Sequence, residues 1–251
     1  MDINIWEKTS RGLSRHINQD NYGYLSKMPD SEINLVAVIA DGLGGLANGD
    51  IASKTAVDYF LNVYKNNITS SPNSHKSLIN LFSEINQYVY DIGITGESMH
   101  QNPKDPSMAT TLSSTIFSDN VVRICHIGDS RVYLFRDNSL HLLSEDHSWV
   151  SEAIQAGILT EEDARNHPMS NVVTQVIGSP QLIHPFYKEI EILSNDIILL
   201  CTDGVHGSLT DTDIKNEIQR NCSMNSLLNS LFSMAKLNGS TDDMTAILIN
   251  L

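Results

Sequence analysis

The residues of this chain best suited to chemistry are aspartates that stand where apolar runs stop. Asp41 ends LVAVIADGLGG, Asp129 ends VRICHIGDSR, Asp203 ends IILLCTDGV, and Asp242 lies in STDDMTAILIN just ahead of a last apolar run. Taken singly, such an aspartate more often caps its own turn. Four together mean something else, because strands of one sheet bring their ends together. Clustered carboxylates repel and raise one another's pKa unless a cation neutralises them. Oxygen donors suit hard divalent ions, and the chain lacks Cys/His spacing for zinc. The pattern predicts a Mg²⁺ or Mn²⁺ site built from carboxylates.

The glycines after Asp41, in IADGLGGLANGDIA, then acquire a use. Gly42 lets the chain turn so that its carbonyl faces an ion, and Gly44 and Gly45 let the following loop pass close by. A phosphate-cradling loop is the competing reading, but neither G-x-G-x-x-G nor G-x-x-x-x-G-K-[ST] is present. Upstream, SRGLSRHINQDNYGYL holds Arg15 five residues before Asp20. The two could form an ordinary surface pair. Beside a metal centre, Arg15 instead becomes a phosphate clamp, since guanidinium binds tetrahedral oxyanions in bidentate fashion.

These groups need a scaffold, and the periodicity supplies one. Leu35–Ala40 is a continuous apolar run, a buried strand. Helical stripes follow over Ile51–Val63 and Leu78–Ile92, then a polar stretch from Asp91 to Met108 reads as a long loop. Thr111–Phe117 and Val121–Ile127, then Val132–Phe135 and Leu140–Leu143, read as hairpins around Asp-Asn turns. Residues 148–180 read as a small helical insertion with Thr160 as an N-cap and Gly157 as a stop. Strands return at Tyr187–Leu193 and Ile197–Thr202, a helical stretch broken near Asn221 covers Thr212–Lys236, and a last strand spans Thr245–Leu251. Without regular βαβ alternation, the expectation is α+β with antiparallel sheets.

At 251 residues the chain can bury a sizeable core without staples. A net charge of −14 disfavours nucleic acid or an anionic membrane as the main partner. Cys125, Cys201 and Cys222 are far apart and odd in number, which fits reduced core cysteines. MDINIWEKTS has no basic region ahead of an apolar stretch, and no apolar run is long enough to span a bilayer. A cytoplasmic protein is expected.

Eight stretches in order resemble the metal-dependent Ser/Thr protein phosphatases of the type 2C, or PPM, family, especially its compact bacterial members. They are SRHINQDNYGYL, VAVIADGLGGLANGDIAS, ATTLSSTIF, VVRICHIGDSRVYLFRDNSLHLLSEDHS, AGILTEEDARNHP, VVTQVIGS, DIILLCTDGVHGSLTD and TDDMTAILI, and they reach from about Ser14 to Leu251. The resemblance implies a four-layer α-β-β-α sandwich over residues 1–251, one catalytic domain whose flap is the 148–180 insertion. It implies a Mn²⁺ or Mg²⁺ pair at one end, bridged by Asp41 and held further by the Gly42 carbonyl, Asp203 and Asp242. Asp20 would hold a metal-bound water from the outer shell, and Asp129 would join Asp203 at a third, weaker site. Arg15 would grip the substrate phosphate.

Two departures stand out. Leu43 occupies the place where many eukaryotic members keep a histidine able to protonate the leaving group. Asp242-Asp243 replaces the usual DN, so Asp243 either adds charge near the site or competes as a ligand. His126 reads as a core histidine, Asp146-His147 as a structural junction, and Trp149, Met169 and Phe186 as residues that shape the flap. The implied reaction is hydrolysis of phosphoserine or phosphothreonine on proteins, by a monomer partnered with a Ser/Thr kinase and without nucleic acid or membrane insertion. The rival readings are a catalytically silent phosphoprotein binder and a phosphatase for small esters.

Overall fold

The structure, a computed structural model, describes residues 3–26, 32–43, 48–66, 72–95, 108–165, 167–221 and 223–251. The apolar run at Leu35 is β3 (Ile33–Asp41). Leu35, Ala37 and Ile39 join one apolar cluster, whereas Val36, Val38 and Ala40 join another. A strand covered on both faces needs no polar side, hence the unbroken run. β9 (Ile197–Cys201) and β10 (Met244–Asn250) divide likewise. Ile198, Leu200, Ile247 and Ile249 enter the cluster shared with Leu35, while Leu199, Cys201, Ala246 and Leu248 face a third.

Two antiparallel five-stranded sheets result. One has the order β2 (Asp20–Ser26), β3, β4 (Leu112–Ser118), β5 (Val121–Ile127), β8 (Phe186–Glu191). The other has the order β1 (Asn4–Ser10), β10, β9, β6 (Arg131–Arg136), β7 (Ser139–Leu142). α1 (Gly49–Asn66) and α2 (His75–Thr95) bury their stripes on the outer face of the first sheet. α6 (Asp211–Arg220) and α7 (Met224–Leu237) do so on the second. The four-layer α-β-β-α arrangement is therefore observed. Both hairpin turns use left-handed residues that aspartate and asparagine tolerate: Asp119 at φ 53°, Asp137 at 49° and Asn138 at 61°.

Several elements differ from the sequence reading. β1 and β2 were not expected as strands. Each is a sheet edge with few fully buried residues, so their polar content hides the strand pattern. Gly23 in β2 leaves room for α1, since a Cβ there would lie 2.5 Å from Leu61 Cδ1. α2 continues to Thr95, into the stretch read as loop from Asp91, and the rest of that loop lies outside the described residues. The break near Asn221 is real, with Asn221 extended and Ser223 capping α7; Cys222 lies outside the described residues.

The insertion carries α3 (Trp149–Gln155) and α4 (Glu161–Arg165). Ser148 caps α3, Thr160 Oγ1 accepts the Asp163 amide ahead of α4, and Gly157 at φ +69° provides the stop between them. Its return is pinned to α2 by buried Asn86. That side chain accepts from the Gly178 and Ser179 amides at 2.8 and 2.9 Å and donates to the Ser179 carbonyl at 3.0 Å.

Candidate active site and metal centre

Asp41 is the last residue of β3, and its backbone is held on both sides by the threonines that lead into β4. The Asp41 amide donates to Thr111 Oγ1 at 2.9 Å, and Thr110 Oγ1 donates to the Asp41 carbonyl at 2.8 Å. Gly42 then turns beneath α1, where a Cβ would lie 2.1 Å from the Gly49 carbonyl oxygen. Only glycine fits there. Asp129 sits in the turn between β5 and β6, and Asp203 opens the single-turn helix α5 (Asp203–His206) directly after β9. Asp242 precedes β10, and Arg15 lies in the loop from β1 to β2.

Arg15, Asp41, Gly42, Leu43, Asp129, Asp203 and Asp242 line one cavity of about 450 Å³. Asp20 stands behind it, paired in register with Asp41 and accepting from Thr202 Oγ1 at 2.9 Å. All seven residues expected at the site are thus brought together, six on the cavity wall and Asp20 just beneath. Gly44 and Gly45 lie outside the described residues.

The electrostatics are those of anions without a counter-ion. Burial pushes the Asp20 carboxyl up to about 8, helped by the charge of Asp203. Burial and the charge of Asp203 take Asp129 up to about 8 as well. Burial raises Asp41, with the charges of Asp20, Asp203 and Asp129 adding to it, and burial raises Asp203. Asp242 differs: Arg15 donates from Nε and Nη2 to its two oxygens at 2.7 and 2.8 Å. Burial opposes charge on Asp242, but the Arg15 hydrogen bond prevails and holds it below the usual range. Arg15 therefore pairs with Asp242 and not with Asp20.

Among the described residues no three acidic, imidazole or thiol side chains converge as a finished ligand set. The donors still fit a hard divalent cation. They are oxygen atoms, burial and neighbouring charge raise the carboxyls of Asp20, Asp41, Asp129 and Asp203, and Asp20 Oδ1 and Asp203 Oδ1 are buried without a hydrogen-bond partner. A cation supplies what those oxygens lack.

Asp243 behaves otherwise. It is buried, and its oxygens accept the amides of Gly12 and Gln19, so neither is spare for an ion. Of the histidines, His126 donates Nε2–H to the Gly128 carbonyl and accepts from Ser113, a satisfied core group. His147 accepts the Gly128 amide, and Asp146 takes Arg131, so that junction is structural. The flap residues at the cavity are Asn171 and Val173; Trp149 instead stacks on His167, and Phe186 belongs to β8. Thr110, Thr111 and Thr202 escaped the sequence reading. Thr202 stands next to Asp203 in the sequence, but Thr110 and Thr111 carry no local signal of their link to Asp41.

A double antiparallel sandwich whose strand ends gather carboxylates and one arginine around an open cavity suits hydrolysis of a phosphate ester. The family described as Protein phosphatase 2C matches residues 9–248, and the chain belongs to that family. It is similar to the serine/threonine phosphatase stp of Listeria welshimeri, 31% identical over 243 residues that make up 96% of this chain and 93% of the relative. The structure of the serine/threonine phosphatase Stp1 from Staphylococcus aureus superposes with a TM-score of 0.90 at 25% identity, covering 100% of this chain and 96% of that one. The catalytic domain of the serine threonine protein phosphatase PstP, in complex with two manganese ions, shares the fold at a TM-score of 0.78 and 23% identity, covering 99% of this chain and 97% of that one. The chain is accordingly a protein serine/threonine phosphatase of a metal-dependent family. Among the described residues no helix is long and apolar enough to cross a membrane.

Proposed function

We propose that phosphoserine and phosphothreonine are hydrolysed in the cavity beside Asp41, by residues that hold two divalent cations, Mn²⁺ or Mg²⁺. Asp41 and the Gly42 carbonyl would hold one cation, Asp203 and Asp242 would hold the other together with Asp41, and Asp129 with Asp203 would provide a weaker third position. When bound, the cations supply Lewis acidity that lowers the pKa of a water and offsets phosphoryl charge. The observation that carries this reading is the convergence of Asp41, Asp129, Asp203, Asp242 and Arg15 on one cavity.

The chain's own residues do the rest. Asp20, fixed by Thr202, presents its unpartnered Oδ1 as an acceptor for a water proton. Arg15 exchanges the Asp242 carboxylate for the substrate phosphate, which has the same bidentate geometry. Leu43 at the cavity wall has no proton to give, so the leaving oxygen takes its proton from water. Substrates are phosphorylated proteins, among them a Ser/Thr kinase that acts with this phosphatase. The working form is a cytoplasmic monomer, with residues 1–251 as one catalytic domain.

Hydrolysis of a phosphothreonine peptide with added Mn²⁺ tests this, comparing wild type with Asp41→Asn and Asp203→Asn. Both variants should lose at least a hundredfold in rate, in line with removal of a group that stabilises transition-state charge. Rates within threefold of wild type in both would sink the assignment. A sugar phosphate run alongside should turn over far more slowly than the peptide.

A further inference from the structure

The loop of residues 11–19 crosses between sheets. β1 ends at Ser10 in one sheet, and β2 begins at Asp20 in the other. Arg15 rides near its middle. A crossing loop of this kind moves freely unless its backbone groups find partners, and here one buried carboxylate takes both of its ends. Asp243 Oδ1 accepts from the Gly12 amide and Oδ2 from the Gln19 amide, each at 2.8 Å. Asp243 is only 2% exposed.

Further contacts tie the same loop to the segment that precedes β10. The Ser14 amide and hydroxyl donate to the Thr241 carbonyl at 3.3 and 3.0 Å. Gly12 packs so tightly that a Cβ would lie 2.3 Å from that same carbonyl oxygen. The Arg15 amide closes a turn onto the Gly12 carbonyl at 3.4 Å. The guanidinium is thus placed by a short path that starts at Asp243.

We infer that Asp243 is a positioning residue for phosphate recognition, fixing where the Arg15 guanidinium sits by clamping both ends of its loop. The inference rests on the reading of Arg15 as the phosphate clamp. Carboxylate is well suited to the task, because both oxygens are acceptors and each can take one backbone N–H. Asparagine offers one acceptor, and its amide nitrogen would confront the second N–H donor. Alanine offers none and leaves two buried amides without partners. Bidentate recognition depends on planar geometry, so a loop that drifts by about an ångström loses much of the arginine's contribution.

The test uses the full chain with Mn²⁺ and reads three quantities: KM and kcat for a phosphothreonine peptide, the inhibition constant of inorganic phosphate, and Mn²⁺ affinity by calorimetry. Variants are Arg15→Ala, Asp243→Ala, Asp243→Asn and the double variant Arg15→Ala/Asp243→Ala. Asp243→Ala should raise KM and the phosphate inhibition constant about tenfold, the loss expected for a displaced charge-assisted contact, with kcat and Mn²⁺ affinity changed by less than about threefold. Asp243→Asn should fall between that variant and wild type. In the Arg15→Ala background, loss of Asp243 should add less than about twofold, since the clamp it places is already gone.

Phosphate inhibition within twofold of wild type in Asp243→Ala overturns the inference, as does an equal effect with and without Arg15. If Asp243→Ala does not fold, Asp243→Asn decides, and wild-type phosphate inhibition in it overturns the inference too. Unchanged phosphate inhibition in Arg15→Ala alone sinks the prior reading of Arg15 instead.

Discussion

Asp20→Asn should make the metal-free protein more stable while removing a group proposed to serve the metal site. Asp20 is buried, and its carboxyl is taken from 3.8 up to about 8 by burial and by the charge of Asp203. A carboxyl whose pKa is raised in the fold contributes stability that is complete at low pH and lost as pH rises. The window here runs from about 4 to about 8. By linkage, ionisation of the unfolded chain alone costs the fold about 5 kcal/mol at pH 8 and under about 1 kcal/mol at pH 4. Its neighbours Asp41, Asp129 and Asp203 share that repulsion, so about 2–5 kcal/mol is expected at pH 8 from this one charge. The Asn side-chain oxygen can still accept from Thr202 Oγ1, which removes charge without removing the hydrogen bond. At about 2–4 °C per kcal/mol for a chain of this size, thermal unfolding in chelator at pH 8 should shift up by roughly 5–15 °C. The shift should shrink to about a degree or two at pH 4. With saturating Mn²⁺ at pH 8 the wild type should recover most of the difference, because bound cation neutralises the same charges. A variant no more stable than wild type at pH 8 in chelator would refute the reasoning.

Other consequences concern the scaffold. Asn86→Ala frees the Gly178 and Ser179 amides at the flap's return and should lower stability by about 1–3 kcal/mol, read from urea midpoints, with no loss of Mn²⁺ affinity. Gly42→Ala drives a methyl to within 2.1 Å of the Gly49 carbonyl oxygen, so thermal unfolding should drop by several degrees and Mn²⁺ binding should weaken with it. Burial pushes His126 down to about 3, so the stability from its neutral form is full above about pH 6.5 and lost as pH falls towards 3. Between pH 7 and 4.5 the wild type should therefore lose about 2–3 kcal/mol more than His126→Gln, measured by urea unfolding at the two pH values.

Legibility from sequence followed burial. β3, β9 and β10 were readable because covered strands are apolar throughout, and α1 and α2 because each buries one stripe. β1 and β2 were not, since edge strands carry polar residues that weaken the pattern. The site showed the same divide. Asp41, Asp129 and Asp203 announced themselves by ending apolar runs and Asp242 by preceding the last one, and the cavity gathers all four. Thr110, Thr111 and Thr202 act through hydrogen bonds to residues far away in the chain, such as the 182 positions between Thr202 and Asp20. No local pattern encodes such a pairing.

The sequence by itself determined the donor chemistry: oxygen ligands at strand ends, one arginine upstream, and glycine where no side chain fits. The sequence placed Asp242 at the site but left Asp243 open, and only the tertiary structure decided what Asp243 does. Asp242 turns to Arg15, and Asp243 turns inward to the amides of Gly12 and Gln19. Successive residues leading into a strand point to opposite sides, so one neighbour meets the open cavity and the other meets the buried loop that crosses between the sheets.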